Sequence, residues 1–85
     1  MKITSVEVFD IQIPRAHPRR SMWTPVIVQV STDEDISGVG ELALAYGIGN
    51  NAGIGMLKDL SQNLLVGSDP LKIEYLWDIM YRRTF

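Results

Sequence analysis

The chain falls into two halves by the period of its apolar positions. Up to about residue 45 they alternate with polar ones, as on strands with one buried face; from about residue 51 they recur every three or four positions, as on helices. The best-defined stretch runs from Pro25 to Ala45. Its first arm sets Val26, Val28 and Val30 on one face and Ile27, Gln29 and Ser31 on the other, which is a β-branched strand with one dry side. Thr32, Asp33, Glu34 and Asp35 are short or charged, so the chain reverses there in water. In the return arm Gly38 and Gly40 bracket Val39, a pattern that marks a bulge, a bend or a close approach, and Glu41 is the one charge in an apolar run.

The first strand spans about residues 2–13, but its alternation slips: Val6 and Val8 have one parity, Phe9, Ile11 and Ile13 the other. A bulge near Val8 and Phe9 accounts for this, and so does burial on both faces of a middle strand. Pro14 has no N–H to donate and ends the ladder. The loop that follows carries Arg15, Arg19, Arg20, His17 and Trp23, with no acid between Asp10 and Asp33. Such a loop suits an anionic small molecule, since guanidinium groups pair with carboxylates; a plain solvated loop has the same composition. With the other two strands at about 25–32 and 36–45, the pattern predicts a three-stranded antiparallel meander.

Two helices are predicted, at about 51–66 and 70–83. Asn50 or Asn51 caps the first, Leu57, Leu60 and Leu64 form its stripe with Met56 alongside, and Gly67 stops it. Asp69 caps the second, with Pro70 at its first position, and Ile73, Leu76, Trp77 and Met80 form the buried stripe. Asp78 and Arg82 make an i, i+4 pair. The chain closes on Thr84-Phe85 without a glycine or polar tail, which reads as a domain cut short.

Composition narrows the function. Eighty-five residues hold one α+β domain, and a net charge of -2 argues against a nucleic-acid binder. The chain has no cysteine, so disulfides and thiolate zinc sites are excluded and a reducing, cytoplasmic setting is expected. No run is long and apolar enough for a signal sequence or a membrane span. The glycines at 47, 49, 53 and 55 follow a strand and precede a helix, but their spacing is G-x-G-x-x-x-G and the strand belongs to an antiparallel hairpin, against a dinucleotide site. The simpler reading is a connector or flap around Tyr46. The sole histidine, His17, has no partner that spacing identifies, and Asp33, Glu34 and Asp35 are at best a weak cation site. From the residues alone this is a small α+β module with two loops able to face a ligand; a stand-alone small-molecule-binding or protein-interaction module satisfies the same pattern.

The run V-x-V-x-T-D-E-x-I-x-G-x-G-E from Val28 to Glu41, Tyr46-Gly47 after it, and L-x-G-x-D-P-x-x-I-E-x-L-W-x-x-M-Y-R from Leu65 to Arg82 together resemble the N-terminal capping domain of the enolase superfamily. The branch is that of mandelate racemase and muconate lactonizing enzyme, and the last stretch is most similar to its sugar-acid dehydratases. The resemblance implies a three-stranded meander followed by a helical hairpin, lacking the (β/α) barrel it would cover. It implies a lyase or isomerase that removes a proton α to a carboxylate with the help of Mg²⁺. The metal ligands and acid/base residues belong to the barrel, so this chain would hold no catalytic residue, no metal and no cofactor, and would be inactive alone. Its partners would be the barrel, a sugar-acid carboxylate and other copies of the full-length subunit. On this chain the resemblance points to Arg15, His17, Arg20, Trp23 and Tyr46 as substrate-specificity residues on two loops, the first of them mobile. It points to Gly38, Gly40 and Glu41 as structural or domain-interface residues. Asp35 stands where the pattern usually has glycine.

Overall fold

In the computed structural model, residues 1–11, 25–42 and 48–84 are described. Three strands, β1 (Ile3–Asp10), β2 (Val26–Thr32) and β3 (Ser37–Leu42), form an antiparallel sheet in the order β1-β2-β3, followed by the helices α1 (Asn50–Leu60) and α2 (Ile73–Arg83). This is the predicted α+β meander and helical pair. Cross-strand rows run Val6–Val30–Gly38, Val8–Val28–Gly40 and Asp10–Val26–Leu42, so the valines of the first two strands share the helix-facing side. Val26 is fully buried there, a contribution of about 1.5–3 kcal/mol. Ser5, Glu7, Phe9, Ile27, Val39 and Glu41 lie in rows of the opposite face.

Neither predicted origin of the slip in β1 is found. Pairing is continuous from Ser5 to Asp10, so Phe9 lies on the face opposite Val6 and Val8 and is 41% exposed, and β1 is an edge strand. A separate register shift lies between Ile3 and Ser5, where the extra residue, Thr4, turns Ile3 to the helix side, and there Ile3 is buried. Ile3 also ties the sheet to the helices through its backbone: its N–H donates to Ser68 O at 2.8 Å and its carbonyl accepts from Gly67 N at 2.8 Å.

The turn between β2 and β3 is tight and acidic. Thr32 N donates to Ile36 O at 3.2 Å, Thr32 Oγ1 donates to the same oxygen at 2.6 Å, and Asp35 takes a left-handed φ of 57°. A left-handed residue closing a three-residue loop keeps the hairpin twist, and glycine or aspartate suits it best. Gly38 and Gly40, by contrast, cause no bulge: β3 pairs with β2 without a register shift, and a Cβ on either glycine would meet nothing within 4 Å.

The helix ends also differ from those expected. Gly49, at φ 95°, caps α1, and Asn50 is buried in its first turn instead of capping it. Only glycine enters that backbone region freely, which is why it takes the cap from an asparagine. After Leu60 the helix widens into a π turn, Ser61–Leu65, in which Val66 N donates to Ser61 O at 3.1 Å. Gly67 follows as the left-handed corner of a type II turn: Val66 has φ -63° and ψ 128°, Gly67 has φ 90°, and Ser68 N donates to Leu65 O at 3.0 Å. Asp69 caps the next turn and not α2: its Oδ1 accepts from Leu71 N at 2.9 Å, its carbonyl from Lys72 N at 3.2 Å, and α2 begins at Ile73. The Arg82–Asp78 pair forms at 3.1 Å.

The predicted burial of the α2 stripe is not what forms. Leu76 is buried and Met80 half-buried, but Ile73 is 70% and Trp77 59% exposed. α1 and the π turn lie against β1, whereas α2 packs on the π turn and makes no comparable contact with the sheet. Among the described residues α2 thus stands off from the turn end of β2 and β3, near Val30 and Gly38.

Candidate functional site

The sheet has two unlike ends. At one, the row Asp10–Val26–Leu42 brings the ends of β1 and β3 beside the start of β2, and Ile11 N donates to Pro25 O at 3.0 Å. The segments 12–24 and 43–47 leave from this row, so the strand order sets their ends side by side. The first turn of α1 lies there too: a Cβ on Gly53 would run into the side chain of Leu42. The predicted substrate residues Arg15, His17, Arg20, Trp23 and Tyr46 themselves lie outside the described residues, as does the expected mobility of the first loop. Of the remaining candidates, Glu41 is exposed in the row Phe9–Ile27–Glu41, and Gly38 and Gly40 are on the helix side with open space above them.

At the other end the acidic turn grips the N-terminus. Lys2 N donates to Asp33 Oδ1 at 2.9 Å, Asp33 N to Lys2 O at 3.1 Å, and the terminal ammonium is 3.4 Å from Glu34 Oε2. These contacts give the acids a task other than cation binding. Among the described residues no group of three or more histidine, aspartate or glutamate side chains converges. They do not fit a Mg²⁺ site. No helix among them is long and apolar enough to cross a membrane.

Sequence reasoning missed the groove beside that turn. It encloses about 470 Å³, with Val30 and Gly38 on its floor, Ile36 on one side and Leu71, Ile73 and Trp77 on the other. The signal was present in the α2 stripe, which is broader than one packing partner needs; Tyr81 extends it and stacks on Trp77 at 5.4 Å between ring centroids. A second, more polar groove of about 630 Å³ runs between α1 and the end of α2, past Asn51, Asp59, Asn63 and Arg83.

A three-stranded antiparallel meander followed by helices matches the capping-domain class of the enolase superfamily. The chain belongs to the mandelate racemase/muconate lactonizing enzyme family, N-terminal domain, which it matches over residues 3–85. A curated relative from Pseudarthrobacter chlorophenolicus, described as a D-galactonate dehydratase family member, is 29% identical over the whole chain, which spans 18% of that relative. A solved structure from Mesorhizobium loti, provisionally described as a dehydratase, is 44% identical with a TM-score of 0.84, and the match covers 100% of this chain and 21% of the other. One from Salmonella enterica, provisionally described in the same way, is 48% identical with a TM-score of 0.83, covering 99% of this chain and 21% of its own. The chain thus spans about a fifth of the length of these relatives.

Proposed function

We propose that this chain is the substrate-capping and specificity domain of a Mg²⁺-dependent enzyme of the mandelate racemase type, an acid-sugar dehydratase, and that it is inactive alone. The observation that carries the reading is the row Asp10–Val26–Leu42, which roots both candidate substrate segments at one sheet end, away from the acidic turn. The dehydratase names of the similar proteins support the reaction class. In this reading Arg15 and Arg20 hold the substrate carboxylate through charged hydrogen bonds, His17 adds a polar contact, and Trp23 and Tyr46 cover the sugar and exclude water. Removing a proton α to a carboxylate needs a base and a way to hold the charge that develops, and both are assigned to a barrel in the same cytoplasmic, oligomeric enzyme.

The test uses the complete product of the reading frame that encodes this chain, assayed with Mg²⁺ on a panel of sugar acids. One acid should be dehydrated, and the 85-residue chain alone should turn over none of them. A lost charged hydrogen bond is worth about 1.5–3 kcal/mol, so Arg15→Gln or Arg20→Gln should raise KM by about 10- to 150-fold with kcat little changed. A reading frame that stops at Phe85, no turnover of any acid, or unaltered KM in both variants would sink the proposal.

A further inference from the structure

The first two residues are held in place, where the end of a strand ordinarily frays. β1 pairs with β2 only from Ile3 onward, yet the Met1 side chain is 11% exposed, and the turn beyond Thr32 reaches back to both residues. Lys2 N donates to Asp33 Oδ1 at 2.9 Å, Asp33 N donates to Lys2 O at 3.1 Å, and the Met1 ammonium lies 3.4 Å from Glu34 Oε2. Glu34 is itself placed by the turn: its N–H donates to Thr32 Oγ1 at 3.4 Å, and that hydroxyl donates to Ile36 O at 2.6 Å. Among the described residues no lysine or arginine side chain forms an ion pair with Asp33, Glu34 or Asp35. Carboxylates in successive positions repel one another, and the ammonium is the positive group that meets them.

We propose that the β2–β3 turn is a latch that responds to the charge on the Met1 nitrogen. A free amine presents a positive charge and its N–H donors to Glu34. A formyl or acetyl group, or a residue joined before Met1, turns the same nitrogen into a neutral amide. The charge-assisted contact is then lost, the repulsion among the acids goes unrelieved, and the Lys2–Asp33 pair is left to hold the turn alone. The latch is weak by construction, because Glu34 is 59% exposed and exposed ion pairs are worth little. Its effect is therefore local. It sets how often residues 1–2 part from residues 33–34, at the end of the sheet away from the row Asp10–Val26–Leu42, so it stands or falls independently of the enzymatic reading.

The test is amide hydrogen exchange on the complete product of the reading frame, prepared from Met1 onward with its amine free or acetylated, each with Glu34 and with Glu34→Gln. Glu34 is exposed, so the substitution leaves the fold intact. With Glu34 present, acetylation should lower the protection of the Lys2 and Asp33 amides, each relative to its own unfolded rate, by about 1.4- to 5-fold, the range an exposed ion pair supports. In Glu34→Gln it should change nothing. The difference should also shrink away in 1 M salt, where the screening length is about 3 Å against about 30 Å at 0.01 M. Protection that is indifferent to acetylation with Glu34 present overturns the proposal. So does an equal loss in both backgrounds, or a loss that persists in 1 M salt, since either assigns the effect to the bulk of the acetyl group.

Discussion

Asp35 offers a measurement in which the expected order of two variants is opposite to the usual one. At φ 57° it holds the left-handed corner of the β2–β3 turn. An alanine there bears the strain of its Cβ, about 1–2 kcal/mol, and a glycine bears none. Glycine carries its own cost, roughly 0.5–1 kcal/mol relative to alanine, from the larger entropy of the unfolded chain. Asp35→Gly should therefore be more stable than Asp35→Ala by about 0–1.5 kcal/mol. Both variants remove the same carboxylate and both keep the Thr32 Oγ1 bond to Ile36 O, so their difference isolates the backbone. At roughly 4–8 °C per kcal/mol for a domain of this size, the midpoint is a gap of a few degrees in thermal unfolding. Aspartate tolerates the left-handed region better than most residues, so Asp35→Gly itself should be neutral to mildly stabilising. If alanine is clearly more stable than glycine, or if Asp35→Gly clearly lowers Tm, the turn has another geometry in solution.

Two further substitutions probe packing. Gly53→Ala should lose its usual helix gain of about 1 kcal/mol because Leu42 must give way, and should regain it in a Leu42→Ala background; equal effects in both backgrounds, read by urea unfolding, would refute the contact. Gly38→Ala and Gly40→Ala should be neutral or stabilising by up to about 1 kcal/mol in this chain, where nothing faces them. If they are interface residues, the same changes should lower the thermal stability of the complete enzyme, and a neutral result there would remove that role.

The sheet was readable in the sequence because Val26, Val28 and Val30 alternate against a turn that only water can accommodate. Parity misled in β1: the slip from Val8 to Phe9 marks an apolar residue on the exposed face and no bulge, while the bulge at Thr4 leaves no mark in the apolar pattern. The helix boundaries moved for a local reason. Asn50 and Asp69 have capping side chains, but Gly49 supplies the left-handed backbone that ends the approach to α1, and Asp69 uses its oxygen on a separate turn before α2. The stripe of α2 was correctly apolar and wrongly buried, because periodicity shows which face seeks cover and is silent on whether this chain provides it. For the site, topology placed the roots of both loops together. The side chains of Arg15, His17, Arg20, Trp23 and Tyr46 lie outside the described residues, so their role rests on the proposal above.

The hydrogen bond from Ile11 N to Pro25 O closes the neck of the segment that carries the arginines. Ends pinned in this way make changes of length between them inexpensive, since doubling a flexible connection adds only about 0.6 kcal/mol of closure entropy. Insertion, deletion or replacement between positions 12 and 24 should then leave the register of the sheet intact. On the proposed function, such a neck lets selection rewrite what the segment recognises without renegotiating how the sheet folds.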